Sequence, residues 1–179
     1  MIYILSMQLF LTYSFAENLN MSLPIVPKNV TVYPSQIVFI RHAEKNVPYD
    51  TINIDATGQA RARELPNYIQ QMVAHGNLKK EPDLLVAMKM DSPTGSNRPV
   101  ESINPLSNAL QLPLQFSYTQ DQLPQLVQSI NKPENAGKTV VVCFEHHHLV
   151  PIAQYFGLPV QGWTINGQLY YCLDFDKRK

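Results

Sequence analysis

Short runs of apolar residues punctuate the chain, and each run is flanked by polar or turn-forming residues. Runs of this length predict buried strands, which we expect at 36–41, 83–90 and 138–144. Two further strands are expected at 114–118 and 168–175. The run over 138–144 is the clearest, because Gly137 bounds it in front.

The segments between these runs have helical spacing instead. Leu65, Ile69 and Val73 fall on one face of a helix predicted over 57–74, although Pro66 should kink it or divide it into two short helices. The same spacing predicts helices over 99–110, 122–130 and 148–156.

Strands that alternate with helices predict an α/β fold. We expect a three-layer sandwich, with a mostly parallel central sheet and helices on both of its faces. In such sheets, ligands bind outside the carboxyl ends of the strands. Functional side chains should therefore lie just after the predicted strands.

The first residues follow a different pattern. Residues 1–16 carry no charge, are too few for a membrane-spanning helix of about 20 residues, and end in small side chains. They predict a signal peptide, and therefore an exported protein, followed by an exposed lead-in over 17–35 and one domain over 36–179. The alternative is a start at Met21 and a cytoplasmic protein, because no basic residue follows Met1.

Composition narrows the choice of partner. Apolar residues make up 45% of the 179 residues, as in a globular domain, and Lys plus Arg equals Asp plus Glu at 14 each. A chain without an overall basic field is not expected to bind nucleic acid or an anionic membrane through its net charge. Any attraction for an anion must be local.

Cationic side chains and imidazoles follow three of the predicted strands. Arg41 and His42 end the first strand, Arg98 comes after the loop that follows the second, and His146 follows the strand over 138–144. Two guanidinium groups can clamp a phosphoryl group, and an imidazole can attack its phosphorus. The three segments together predict a phosphoryl site.

Four segments resemble the signature sequences of the histidine phosphatase superfamily, which includes phosphoglycerate mutases and acid phosphatases. They are "RHAEK", "DATGQARARELPNYI", "SPTGSNRPVESINPLSNALQLPL" and "KTVVVCFEHHHLVPIAQYFGL". They occur in the family's order and span about 36–175. Ala43 replaces a residue that is often Gly in the family, and Phe144 stands where some small members have Trp. The resemblance implies a phosphoglycerate mutase-like fold.

The resemblance also implies roles for individual residues. His42 would be the nucleophile that becomes phosphorylated, Arg41 and Arg98 would bind the phosphoryl oxygens, and His146 would complete the pocket, with His147 as the alternative. Glu44 would orient His42 or Arg41. Additional positive charge or hydrogen-bond donors would come from Lys45, Thr94, Ser96 and Asn97.

The proton donor for the leaving group is the most open of these roles. The candidates are Asp121, Glu145 and Glu101. Asp121 is preferred because it lies in a predicted loop that can fold over the site. Glu145 is disfavoured, because neighbouring residues on a strand point to opposite faces, unless the strand has already ended before this residue.

The implied activity is hydrolysis of a phosphomonoester, on a phosphorylated small molecule or a phosphorylated side chain, with no cofactor and no metal. The consecutive histidines 146–148 do not have the spacing of a metal site. The alternatives are a mutase-type phosphotransferase and a non-catalytic phosphate-binding module of the same fold. Cys143 and Cys172 lie in apolar runs, where either buried thiols or a disulfide would fit.

Overall fold

A computed structural model of the chain describes residues 11–14, 34–46, 50–92, 95–156, 161–165 and 168–172. Most of the predicted signal peptide and of the lead-in therefore lies outside the described residues. The structure is α/β, as the sequence predicts, with a mostly parallel sheet and helices packed against it.

The central sheet has the strand order β1-β2-β7-β5-β6. Its strands are β1 (Leu11–Ser14), β2 (Gln36–Arg41), β5 (Leu84–Met88), β6 (Leu114–Tyr118) and β7 (Thr139–Phe144). The last four are parallel to one another, and β1 pairs antiparallel with β2 at the edge. The strand β1 falls within the predicted signal peptide, and its pairing tests neither cleavage nor export, which stay predictions.

Alternate residues of the parallel strands face opposite sides of the sheet. Phe39 and Val142 pack on one side against α3 (Leu123–Ile130) and α4 (His146–Tyr155). The intervening residues pack on the other side against α1 (Ala56–Ala74) and α2 (Arg98–Leu110). Helices thus cover both faces, and the sheet lies between two apolar clusters.

The helix α1 is continuous, so the expected division at Pro66 into two helices is wrong. Asp55 caps its first turn by accepting a hydrogen bond from the Gly58 N–H at 2.7 Å. Pro66 removes one backbone donor, but Leu65, Ile69 and Met72 still bury one face of the helix against the sheet. We infer that tertiary packing outweighs the local cost of the proline.

Two small hairpins were not predicted as such. One pairs β3 (Lys45–Asn46) with β4 (Asp50–Ile54) shortly after the carboxyl end of β2. The other pairs β8 (Gln161–Ile165) with β9 (Gln168–Cys172), so the predicted last strand belongs to a separate antiparallel sheet. Both pairings are local, and the apolar pattern alone does not indicate which strand is the partner.

Cys143 lies in β7 and is fully buried as a free thiol, which confirms the buried reading for this residue. Burial raises the pKa of its thiol. The Cys172 side chain is outside the described part of the chain. Among the described helices, none combines the length and the apolar character needed to cross a bilayer.

Candidate active site

The site is built on the register of the two central strands. Arg41 of β2 lies opposite Phe144 of β7, and the His42 N–H donates to the Phe144 carbonyl at 3.2 Å. His42 and Glu145 are therefore neighbours just beyond the carboxyl ends of both strands. This is the edge where the topology of a parallel sheet favours a ligand.

His42 is almost fully buried, with 3% of its surface exposed. Its Nδ1 lies 2.6 Å from the carbonyl oxygen of Ala43. A carbonyl oxygen can only accept, so Nδ1 must carry the hydrogen of this bond. In the neutral ring, Nε2 then carries no hydrogen and keeps its lone pair. Nε2 is therefore the atom that can act as a nucleophile.

The environment of His42 also keeps the ring neutral. Its pKa is lowered to about 4, first by burial and then by the charges of Arg98 and Arg41, while the bond to Ala43 and the Glu145 carboxylate act in the opposite direction. An imidazole with this pKa is uncharged at neutral pH. The predicted nucleophile is thus held in its reactive protonation state.

Arg98 begins α2 and is buried, with 7% of its surface exposed. Its Nη2 donates to Oε1 of Glu145 at 2.8 Å. A buried guanidinium needs such a partner, because an unpaired charge in the interior is costly. The ion pair holds Arg98 close to His42, and the positive charge of Arg98 lowers the pKa of that imidazole.

His146 is the first residue of α4 and lies on the other side of the same cluster. Its pKa is lowered to about 4 by burial and then by the charges of Arg41, His147 and Lys45, whereas Glu145 acts to raise it. The His147 ring lies 3.7 Å from that of His146, centroid to centroid, and His147 itself is exposed. Of the two candidates, His146 has the deeper position.

Several buried polar atoms in these segments have no hydrogen-bond partner among the described residues. They are Nε of Arg41, Nε of Arg98, Oγ of Ser96, Nδ1 of His146 and Oε2 of Glu44, and all of them except the Glu44 oxygen can donate. An unpartnered buried polar group costs about 1–3 kcal/mol, and such groups in native proteins call for an explanation. An oxyanion offers several acceptor oxygens to groups of this kind, so the donor set fits the predicted phosphoryl group.

Among the described residues, Glu44 makes no hydrogen bond to Nδ1 of His42, whereas its alternative role of orienting Arg41 stays a prediction. Its carboxylate forms an ion pair with Arg61 of α1, and the Ala43 carbonyl occupies Nδ1 of His42 instead. The Glu44 backbone also packs closely on α1, where a Cβ on Gly58 would lie 2.7 Å from the Glu44 carbonyl oxygen. The chain turns toward α1 after Ala43, and this turn carries Glu44 away from the imidazole.

The three carboxylates considered as proton donors have different surroundings. Glu145 forms the ion pair with Arg98, and Glu101 accepts the Ile54 N–H at 2.8 Å. The sequence argument against Glu145 fails, because β7 ends at Phe144 and Glu145 is the N-cap of α4. Asp121 is exposed on a 3₁₀ turn after β6, close enough to His148 that its charge acts to raise the pKa of that imidazole.

Of the additional predicted donors, Lys45 is exposed and lies close enough to His146 to lower its pKa. Asn97 is the N-cap residue of α2 without a capping hydrogen bond from its side chain, and its backbone N–H donates to the Ile52 carbonyl at 2.9 Å. Thr94 lies outside the described residues.

Sequence reasoning missed two contributors to the site. They are the Ala43 carbonyl, which holds His42, and Ser102 of α2, whose Oγ accepts the Ala43 N–H at 2.7 Å. A backbone carbonyl leaves no sequence signal, whereas Ser102 could have been noticed because it lies one helical turn after Arg98.

Within the described ranges, no group of three or more His, Cys, Asp or Glu side chains is arranged to hold a metal ion. Comparison with protein-family models and with curated proteins gives no match for this chain.

Proposed function

We propose that this protein is a metal-independent phosphomonoesterase of the histidine phosphatase type, with a phosphoglycerate mutase-like fold. The observation that carries the proposal is the state of His42. Its Nδ1 is hydrogen-bonded to the Ala43 carbonyl, and its pKa is lowered to about 4. Arg98 and Arg41 lie close enough for their charges to contribute to that shift. A neutral imidazole with a free Nε2 among cations suits nucleophilic attack on an anionic phosphoryl group.

In the first step, the Nε2 lone pair of His42 attacks phosphorus and forms a P–N bond. The bond from phosphorus to the ester oxygen breaks, and the departing alkoxide takes a proton from a general acid. Arg41 and Arg98 stabilise the charge on the equatorial oxygens, and His146 donates a further hydrogen bond from its neutral ring.

In the second step, water attacks the phosphorus of phospho-His42. The P–N bond breaks, its electrons return to Nε2, and inorganic phosphate forms. The proton lost by the water goes to the base that the general acid became in the first step. The bond from Nδ1 to Ala43 persists throughout, so the imidazole returns to its starting tautomer.

Asp121 is the proposed general acid. Glu101 and Glu145 are each engaged by a specific donor, the Ile54 N–H and the Arg98 guanidinium. Asp121 is exposed and follows the carboxyl end of β6, so a substrate alcohol can approach it from solvent. A phosphorylated side chain or an exposed small-molecule phosphate fits such an arrangement.

One observation favours a different function. The Asp121 charge acts to raise the pKa of His148, and it is not among the main charges that shift the pKa of His42 or His146. If no carboxylate reaches the leaving oxygen, the same pocket would bind phosphate without turnover. A mutase-type transfer to a second hydroxyl would share the phospho-His42 step and differ only in the acceptor.

Trapping the covalent intermediate tests the proposal. The protein would be mixed with para-nitrophenyl phosphate, quenched in base, digested and examined by mass spectrometry for phosphohistidine. We expect the label on residue 42, no label in His42→Ala, and an unchanged label in His148→Ala. A label on another residue would show that the assigned nucleophile is wrong. Binding of phosphate without label or turnover would favour the binding module.

A further inference from the structure

Ser102 is a buried polar residue of α2 that has no role in the proposed reaction steps. Its side chain lies one turn after Arg98, with 4% of its surface exposed, and its Oγ accepts the Ala43 N–H at 2.7 Å. Residues four apart on a helix lie on the same face. One turn of α2 therefore contributes a phosphate-binding guanidinium and an anchor for the loop that carries His42.

Ala43 is held on both sides of its Cα. Its N–H is bound by Ser102, its carbonyl is bound by Nδ1 of His42, and its methyl group is buried against Ile54 and Ala62. The position of the carbonyl depends on the backbone of Ala43, and that backbone is fixed by Ser102. The orientation of the imidazole is thus linked to α2 through a single residue.

The first part of α2 is joined to this region by other bonds as well. Glu101 accepts the Ile54 N–H at 2.8 Å, and the Asn97 N–H donates to the Ile52 carbonyl at 2.9 Å. These two bonds fix β4 to α2, whereas the bond of Ser102 reaches the residue next to the nucleophile. Ser102 is therefore placed to affect the imidazole more directly than its neighbours on the helix.

We propose that Ser102 is a positioning residue that holds the Ala43 carbonyl against Nδ1 of His42, and so keeps the reactive lone pair on Nε2 in line with a phosphoryl group bound by Arg98. The mechanistic part of this inference rests on the proposed function. The part that concerns the tautomer of His42 does not, because it can be measured without substrate.

Ser102→Ala is the variant that tests the proposal, and Ser107→Ala is its matched control. Ser107 is also a buried serine of α2, and its Oγ donates to the Leu112 carbonyl at 2.6 Å. Each substitution removes one buried hydroxyl and one hydrogen bond from the same helix. Only Ser102→Ala should change the tautomer of His42. Ser102→Thr retains the hydroxyl and should restore the wild-type behaviour.

The first measurement is the long-range ¹H–¹⁵N spectrum of histidine-labelled protein near pH 7, with the His42 signals assigned from His42→Gln. We expect a pure Nδ1–H tautomer in wild type, Ser107→Ala and Ser102→Thr, and a mixture of both tautomers in Ser102→Ala. If Ser102→Ala does not fold, Ser102→Cys preserves the volume with a weaker acceptor and should give a smaller shift in the same direction.

The second measurement is steady-state hydrolysis of para-nitrophenyl phosphate. We expect kcat of Ser102→Ala to fall about 10²-fold, as for other small misplacements of a reacting group, with KM within about threefold of wild type. An unchanged tautomer together with kcat equal to that of Ser107→Ala would overturn the proposal. Absence of turnover in wild type would overturn the proposed function alone, since the tautomer comparison would still stand.

Discussion

Two neighbouring parts of the sheet's carboxyl edge hold their polar side chains in different ways. The part beyond β2 and β7, which we call the buried pole, consists of Arg41, His42, Arg98, Glu145 and His146. A 2.8 Å ion pair joins Arg98 to Glu145, and the Ala43 carbonyl contacts the imidazole of His42. His42 and Arg98 are almost inaccessible to water, and the other three members are partly buried.

The part beyond β5 and β6, which we call the open rim, consists of Asp91, Gln120, Asp121 and His148. The Gln120 amide joins two of its neighbours, donating to Asp91 at 3.2 Å and accepting from Nε2 of His148 at 3.2 Å. Both carboxylates of the rim are exposed. Water can replace these bonds, so each contributes little to stability.

The comparison shows which polar side chains are shielded from water and which are exposed to it. Groups that must be aligned with a reacting atom gain from burial, because charges act more strongly there and do not have to reorganise. Groups that meet a variable leaving group can remain exposed. We therefore expect substitutions in the buried pole to affect every substrate, and substitutions in the open rim to affect only some.

The largest effect is expected from His42→Ala. Loss of the nucleophile should lower kcat for para-nitrophenyl phosphate by about 10⁴-fold or more, because no covalent intermediate can form. The measurement is steady-state hydrolysis, with folding checked by circular dichroism. His148→Ala in the open rim should stay within about threefold of wild type. Turnover by His42→Ala within tenfold of wild type would contradict the assignment.

Arg98→Lys should have the next largest effect. Lysine retains the charge and can still pair with Glu145, but it lacks the planar fork that binds two phosphoryl oxygens. We expect kcat to fall about 10²–10³-fold, as for loss of one fixed donor to a transition state. Arg63→Lys, on the exposed face of α1, is the control and should have no effect. Equal kinetics for the two variants would exclude Arg98 from the phosphoryl site.

The buried pole and the open rim should also differ in how the free energy of unfolding depends on pH. Because the pKa of His42 is lowered from 6.5 to about 4, the unfolded chain takes up a proton near pH 6.5 and the folded chain does so only near pH 4. The stability that depends on neutral His42 is therefore complete above pH 6.5, and it decreases as the pH falls toward 4. The decrease should amount to about 3 kcal/mol.

Urea unfolding of wild type and His42→Gln at pH 7 and pH 4.5 measures this decrease. The variant should lose less stability on acidification than wild type. His148→Gln is the comparison in the open rim, where burial also lowers the pKa but the side chain is only half-buried, so its effect should be smaller. Identical acid dependence for wild type and His42→Gln would contradict a buried neutral imidazole.

Much of the scaffold could be predicted from sequence, because most of its helices and strands are determined by the local pattern of apolar residues. The helix over 122–130 follows directly from apolar spacing, and the structure has it within a residue of the predicted bounds. The strand at 114–118 also has its predicted bounds, although it is mostly exposed. The mostly parallel sheet follows from their alternation. The hairpins could not be predicted in this way, because they depend on pairing between short strands.

The site was predictable only in part, for a related reason. Arg41, His42, Arg98 and His146 have side chains that suggest their chemistry, and the topology brings them to one edge. The contact that holds His42 comes from the Ala43 carbonyl, and the Ala43 N–H is bound by the Ser102 hydroxyl. Neither has a sequence pattern of its own. The Arg61 partner of Glu44 was equally unpredictable, because nearness in sequence to His42 does not determine where the chain turns next.

Asp121→Asn in the open rim should have the smallest and most selective effect. A general acid matters when the departing alcohol is a poor leaving group, and nitrophenolate departs without a proton. We expect kcat for an alkyl phosphate to fall about 10²-fold, at the low end for general acids because water can reach this exposed site. The pre-steady-state burst of nitrophenolate, which reports the first step alone, should stay close to wild type. Asp91→Asn is the control in the same rim, and equal losses in both variants would indicate a general effect of negative charge. If Asp121→Asn leaves both substrates unaffected, Asp121 is not the acid, and Glu145 becomes the carboxylate to replace.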